Sequence, residues 1–160
     1  MSKSRDLFML IVLFILAAVP CPAGQQDLAG PTSREAILAV RPSWQALVAS
    51  YQPDPAALAK LQGLSREVRI DVFFGTWCSD SMAHVSALFK ILDMADIPLL
   101  QPRYFAVPED KAKRKAYFEG RTDIDKLPTF IIIVDGREAG RIVETPQKSM
   151  EADLVKILGL

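Results

Sequence analysis

The stretch VRIDVFFGTWCSDSMAHV, residues 68–85, joins a strand pattern to a helix pattern and places one cysteine between them. In Val68–Phe74, β-branched and aromatic residues alternate so that every second side chain faces the same way, which is typical of a β-strand. From Ser79 to about Met94, apolar residues recur at the spacing of a helix face. The pattern predicts Cys78 at the start of a helix, where unpaired N–H groups and the helix dipole favour an anion such as a thiolate.

The N-terminus has the layout of a secretory signal peptide. The basic residues Lys3 and Arg5 precede an unbroken apolar run, Leu7–Val19, and small residues follow it up to Ala23. The run is shorter than the roughly 20 apolar residues that span a bilayer as a helix. We expect a signal peptide over residues 1–23 and a polar linker over residues 24–31, and therefore a periplasmic or secreted protein.

Cys21 leaves two further interpretations open. It could be a lipidated lipoprotein cysteine, although Pro20 directly before it is a poor fit, or the leader could be retained as an anchor. Contact with a membrane is expected only in these two cases. If the leader is cleaved, Cys78 is the one cysteine left, in a compartment where thiols tend to be oxidised. An odd cysteine there indicates a reactive thiol or a mixed disulfide, and a buried inert thiol is the alternative.

Length and composition bound the rest. The chain has 160 residues, half of them hydrophobic, so it can form one domain with a substantial core. The formal net charge is zero, and no basic excess indicates binding to nucleic acid. The charged run at Lys111, Lys113, Arg114 and Lys115 is interpreted as the solvated face of a helix.

The order of the expected elements indicates an α/β fold with a mixed β-sheet flanked by helices. A helical region over residues 32–66 precedes the first strand. After the helix that begins at Ser79, we expect a strand ending at Val107, a charged helix at Glu109–Phe118, a strand at Thr129–Val134, an Asp135–Gly136 turn, a partner strand at Arg141–Glu144 and a helix at Ser149–Leu158.

Two segments of the sequence carry a resemblance to a known family. VFFGTWCSDS, residues 72–81, and KLPTFIIIVDGREAGRIV, residues 126–143, followed by a terminal amphipathic helix, resemble the thioredoxin-like superfamily over about residues 67–160. The resemblance implies a thioredoxin-like domain with an N-terminal helical extension. It also places Pro128 where the family has a cis-proline, and it assigns the pairing with an extended substrate to the backbone of Leu127.

The sequence departs from the family pattern at two positions. Ser81 stands where a dithiol enzyme has its second cysteine, so an attacked partner cannot be released by a neighbouring thiol. Val72 stands where many relatives carry a buried acid, and the adjacent Asp71 points to the opposite face of the strand. Both departures affect the same half of the dithiol reaction. The hydroxyl of Ser81 is still able to hydrogen-bond the Cys78 thiolate.

These residues lead to one preferred function and an alternative. We expect an exported protein that uses Cys78, assisted by Ser81, for thiol–disulfide exchange through a mixed disulfide with a protein or small-molecule thiol. The expected substrate-binding residues are Trp77, Ser79, Asp80, Leu127, Pro128 and Thr129. The alternative is a non-catalytic peptide-binding module, in which the groove at Trp77, Leu127 and Pro128 holds an extended peptide. A cluster-binding monothiol glutaredoxin is disfavoured by export, and no cofactor or metal is expected, since His84 has no neighbouring ligand.

Overall fold

The strand predicted at Val68–Phe74 forms the centre of a five-stranded mixed sheet. The computed structural model describes residues 27–160, so the expected leader lies outside the described residues. The elements follow one another in the order β1 (Gly30–Thr32), α1 (Arg34–Val40), α2 (Trp44–Ser50), α3 (Pro55–Gln62), β2 (Val68–Phe74), α4 (Ser79–Ala95), β3 (Leu100–Ala106), α5 (Lys111–Arg114), a 3₁₀ turn (Lys115–Tyr117), β4 (Thr129–Val134), β5 (Arg137–Val143) and α6 (Met150–Leu158).

The sheet has the strand order β1-β3-β2-β4-β5. The pair β2–β3 is parallel, because α4 carries the chain back across the sheet between the two strands. β4 runs antiparallel to β2, and β5 closes the sheet as the hairpin partner of β4. The carboxyl end of β2 therefore leads directly into α4 beside the start of β4, and these segments form the candidate site.

Apolar side chains cover both faces of the sheet. Val72 and Phe74 of β2 belong to the larger core, which the sheet shares with α4 and the N-terminal helices. Phe73 points to the opposite face, where it stacks on Phe105 at 4.9 Å between ring centroids in a second, smaller core. The predicted α/β fold, a mixed sheet flanked by helices, is confirmed.

Of the three helices before β2, α3 begins and ends where local sequence signals place it. The Asp54 carboxylate accepts a hydrogen bond from the Ala56 N–H at 2.9 Å and caps α3, which has proline at its first position and ends at Gly63. Trp44 of α2 is almost fully buried and meets Phe74 edge-on at 6.1 Å. The helices over residues 34–62 therefore pack into the same core as the central strand.

Two segments differ from the sequence-based expectation. Gly30 and Pro31, expected at the end of the linker, lie in β1, which pairs antiparallel with β3 so that Gly30 faces Ala106. The reason is non-local, since the outer edge of β3 offers unpaired backbone groups. The charged helix expected at 109–118 is shorter: after α5 the chain tightens into the 3₁₀ turn, and Phe118 is buried in the smaller core.

The hairpin also differs in length. Its second strand, β5, begins at Arg137, directly after the Asp135–Gly136 turn, and not at Arg141 as expected. Residues 137–139 are exposed and polar or small, so their sequence does not show a strand pattern. A two-residue turn nevertheless places the next residue opposite Val134, and pairing begins there.

Candidate functional site

Cys78 occupies the N-cap position of α4, and its side chain makes no capping hydrogen bond. Its N–H donates to the Gly75 carbonyl at 3.1 Å, and its own carbonyl accepts the Met82 N–H at 3.0 Å, so the backbone on both sides of the cysteine is fixed. The side chain is a free thiol and is half-buried. Its Sγ lies 3.7 Å from the Leu127 carbonyl oxygen, which is within reach of a weak S–H hydrogen bond.

The segment at Leu127–Thr129 forms the wall opposite the cysteine. The Leu127–Pro128 peptide bond is cis, as the resemblance implied. The Pro128 carbonyl accepts the Glu144 N–H at 2.8 Å, and the Thr129 hydroxyl donates to the Lys126 carbonyl at 2.7 Å. The three wall residues are buried, and the backbone carbonyl of Leu127 is the group of this segment that contacts the thiol.

Ser81 is turned into the protein. Its side chain is completely buried, and its Oγ accepts a hydrogen bond from the Gly75 N–H at 3.1 Å. The oxygen therefore holds the loop between β2 and α4, and within residues 27–160 the partner of the Cys78 sulfur is Leu127 instead. Ser79 and Asp80, in the first turn of the helix, are exposed.

Trp77 is fixed as a half-buried wall beside the cysteine. Its indole N–H donates to the Val107 carbonyl at 2.9 Å, and the Arg114 guanidinium carbon lies 4.6 Å from the centroid of the ring system, at cation–π distance. A Cβ on Gly75 would lie 2.5 Å from the Trp77 ring atom Cε2, so only glycine leaves room for the indole in this position.

A polar network behind the loop was not found from the sequence. The Arg41 Nε donates to the Thr76 carbonyl at 3.0 Å, and the Thr76 hydroxyl donates to Asp27 at 2.8 Å. Asp27 also pairs with Arg41, and the Leu28 N–H donates to the Thr76 hydroxyl at 3.3 Å. These residues position the loop before Cys78, yet the sequence carries no signal that would bring them together.

Val72 and Asp71 of β2 face opposite sides of the sheet, as the alternation of the strand predicts. Val72 is fully buried in the larger apolar core, so it contributes no proton acceptor. Asp71 faces the other way and binds Arg103 through two bonds of 2.8 and 2.9 Å, with Arg69 at 3.2 Å. The Asp71 carboxylate thus belongs to an ion-pair cluster on that face of the sheet.

His84, in the second turn of α4, is half-buried. Burial lowers the pKa of its imidazole, and the nearby Asp80 carboxylate acts in the opposite direction. Within residues 27–160, no group of three or more His, Cys, Asp or Glu side chains is placed to hold a metal ion. The same part of the chain contains no helix with the length and apolar character needed to cross a membrane.

A sequence match decides the family of this chain. It agrees with the strand, the helix that begins after Cys78, the cis-proline and the hairpin. Residues 35–156 match the family described as Thioredoxin. The chain belongs to the thioredoxin family. The match begins inside α1, so it includes the helices that precede the central strand of this thioredoxin-family protein.

One solved structure agrees with the fold of this thioredoxin-family chain. An HIV epitope-scaffold is similar at a TM-score of 0.57 and 18% identity, over 81% of this chain and 84% of the scaffold. A protein of unknown function from Pseudomonas aeruginosa gives a TM-score of 0.48 and 21% identity, over 78% of this chain and 74% of that protein. No curated protein matches the sequence.

Proposed function

We propose that this protein is exported and exchanges disulfides through Cys78 alone. The observation that carries the proposal is the position of the sulfur: it is partly exposed at the N-terminus of α4 and lies 3.7 Å from the Leu127 carbonyl, beside the cis-proline. The N–H groups at the start of a helix favour the thiolate, which is the nucleophile in disulfide exchange. The family membership supports a general redox role.

The exchange is balanced without a further oxidant or reductant. The Cys78 thiolate attacks one sulfur of a partner disulfide, the new S–S bond forms, and the other partner sulfur leaves as a thiolate with the electron pair of the broken bond. A thiolate from outside then attacks the partner sulfur of the mixed disulfide, forms a new disulfide with the partner and releases Cys78 as the thiolate. Because the residue three positions after Cys78 is Ser81, the second step has no internal nucleophile.

The wall at Leu127–Thr129 supports a peptide-like partner. Its side chains are buried while the Leu127 carbonyl faces the thiol, so an extended chain would meet backbone at this point. Main-chain pairing of this kind gives affinity without requiring a particular side chain. We infer that Trp77 borders the same groove, with the exposed Ser79 and Asp80 at its outer end.

A reactivity measurement tests the role of the thiol. The rate at which iodoacetamide alkylates Cys78 in the folded protein at neutral pH is compared with the rate for the same protein unfolded in urea. We expect the folded protein to react faster, because the helix N-terminus favours the thiolate. A folded rate equal to or below the unfolded rate contradicts the proposal.

A trapping experiment tests the missing second thiol. Protein expressed with its own leader is purified after blocking free thiols, and partners bound by a disulfide to Cys78 are identified by mass spectrometry. We expect a persistent adduct in the wild type and its loss in Ser81→Cys, in which the new thiol can release the partner. Ser79→Cys is the control for the addition of a thiol at a different position of the same helix, since residue 79 is exposed at the first position of α4. Equal adduct yields in the wild type and Ser81→Cys would count against single-thiol exchange.

The mass of the same purified protein tests export. A chain that begins after Ala23 supports the cleaved leader, and an intact N-terminus or a lipid on Cys21 supports one of the alternatives. Secreted or periplasmic location is expected in the first case. A cytoplasmic protein with an intact leader contradicts export.

The second candidate function is peptide binding without sulfur chemistry. It is favoured by one observation: the backbone carbonyl of Leu127 faces the groove, and its position does not itself depend on the thiol. Partners captured equally by the wild type and by Cys78→Ala would support this function. Partners lost in Cys78→Ala support exchange through the sulfur.

A further inference from the structure

A pocket of about 370 Å³ opens next to the groove, between α5 with its 3₁₀ turn and the segment that leads to Leu127. Its apolar lining consists of Phe118, Ile124 and Leu127, all of them buried. The volume lies within the range of small-molecule sites and exceeds what a single water needs. An apolar floor with polar groups above it is suited to a side chain that has an apolar stem and a charged end.

Cations surround this pocket. Lys111, Arg114, Lys115 and Arg121 line it, and Asp125 is the one acidic residue in the lining. Four positive and one negative side chain give a local charge of 4 − 1 = +3, in a chain whose formal net charge is zero.

The cations differ in how far they are already neutralised. Arg121 is paired with Glu138 at 3.4 Å and with Asp123 at 3.7 Å. Among the ion pairs of residues 27–160, none involves Lys111 or Lys115, so their charges are available to a ligand.

The members of the basic run at residues 111–115, which the sequence predicted to form a solvated helix face, lie in two different places in the structure. Lys111, Arg114 and Lys115 line the pocket, whereas Lys113 lies outside it and pairs with Asp110 at 3.4 Å. The short helix α5 and the tighter turn after it bring the three lining cations to one side. Lys113 therefore provides a control with the same chemistry in the same segment.

Two contacts connect the pocket to the thiol. Leu127 is one of the residues that line the pocket, and its carbonyl oxygen lies 3.7 Å from the Cys78 sulfur. Arg114 lines the pocket and covers the Trp77 indole at 4.6 Å, next to the cysteine in sequence. A peptide whose sulfur meets Cys78 therefore passes the mouth of this pocket.

We propose that the cationic pocket binds a glutamate or aspartate side chain of the peptide partner, within a few residues of the partner's cysteine. The inference rests on the proposed function, because it assumes a peptide held at Cys78. An extended chain advances about 3.3 Å per residue, so a carboxylate one to three residues from the partner cysteine can reach the pocket. The pocket thereby selects partners in which acidic residues flank the disulfide.

The binding arm of the test uses three fluorescent peptides that differ only at the positions flanking a central serine, with glutamate, glutamine or lysine there. We expect the glutamate peptide to bind the reduced protein about tenfold more tightly than the glutamine peptide at low ionic strength, and this ratio to fall in 0.5 M salt. The double variant K111Q/K115Q is expected to remove most of the difference, and K113Q to retain it. Equal affinities for the glutamate and glutamine peptides, or equal losses in both variants, overturn the inference.

The exchange arm uses the same peptides with the serine replaced by a cysteine carrying a thionitrobenzoate disulfide. Attack by Cys78 on the peptide sulfur releases the coloured thionitrobenzoate thiolate, whose absorbance gives the rate. We expect the glutamate peptide to react fastest, and K111Q/K115Q to remove that preference.

The two arms separate the failure of the inference from that of the proposed function. If binding depends on the charge of the peptide but no peptide releases thionitrobenzoate, exchange at Cys78 is refuted and the binding of an acidic side chain in the pocket is supported. Release at equal rates from all three peptides supports exchange and overturns the pocket's role in selecting partners.

Discussion

Replacement of Ser81 by alanine is expected to destabilise the protein because it removes the acceptor of the Gly75 N–H in the loop before Cys78. Ser81 Oγ is fully buried and accepts the Gly75 N–H at 3.1 Å, and Gly75 is itself buried. Without the oxygen, this N–H is left without a partner away from water. A buried polar group that loses its partner costs about 1–3 kcal/mol.

A smaller effect acts in the opposite direction. Position 81 lies within α4, where alanine is a better helix former than serine by about 0.5 kcal/mol. The expected net loss for Ser81→Ala is therefore about 0.5–2.5 kcal/mol. For a domain of this size, each kcal/mol lowers Tm by roughly 3–5 °C.

The measurement is urea unfolding followed by tryptophan fluorescence, with Tm as a second readout. Ser79→Ala is the matched control, because Ser79 is exposed in the same helix and its replacement should change stability by less than about 0.5 kcal/mol. If the two variants unfold at the same urea concentration, the Ser81–Gly75 bond does not stabilise the loop and the reasoning is refuted. The slope of the unfolding transition should stay unchanged, which shows that the midpoint reports stability.

Two further substitutions test the packing of the site and of the C-terminal helix. In Gly75→Ala, the new Cβ would lie 2.5 Å from a Trp77 ring atom, so the indole must move; we expect an altered near-UV circular dichroism spectrum and a lower Tm, and an unchanged spectrum would contradict the close contact. In Glu151→Gln, a buried carboxylate is removed. Burial acts to raise the pKa of this carboxyl, but hydrogen bonds from the Asp54 N–H and the Ser149 hydroxyl outweigh it and hold the pKa below its usual value. A carboxyl whose pKa is lower in the folded than in the unfolded protein stabilises the fold at pH values above the unfolded pKa. The free energy of unfolding of the wild type should therefore exceed that of Glu151→Gln by about 1–3 kcal/mol at pH 7, and this difference should become smaller as the pH falls below about 4. If urea titrations give the same difference at pH 7 and at pH 3, the charge of Glu151 is not its cause.

Local sequence signals were sufficient where an element depends on its own residues. Alternation in Val68–Phe74 predicted the central strand, and the apolar periodicity after Ser79 predicted the helix that follows it. Cap residues fixed the starts of α3 and α6, where Asp54 and Ser149 accept hydrogen bonds from the next turn. The placement of Pro128 beside the thiol followed from the family resemblance, and the cis bond is found there.

Signals that depend on another part of the chain were not visible. Gly30 and Pro31 were expected to end a linker, but the free edge of the strand at Leu100–Ala106 makes them part of a strand. The polar start of β5 is likewise decided by the turn before it and by its pairing with β4. The run at Lys111, Lys113 and Lys115 likewise carries no local signal that separates its members, whereas α5 and the turn after it place Lys111 and Lys115 at the pocket and leave Lys113 outside.

The sequence by itself determined the family, the strand–cysteine–helix unit and the absence of a cysteine at Ser81, because periodicity, caps and motif spacing are properties of neighbouring residues. The tertiary structure alone decided that the Ser81 oxygen serves the loop and that Asp27 and Arg41 hold Thr76 from behind. It also decided that cations gather beside Leu127. The physical reason is that hydrogen-bond pairing and charge clustering join residues tens of positions apart, and local patterns do not encode such distances.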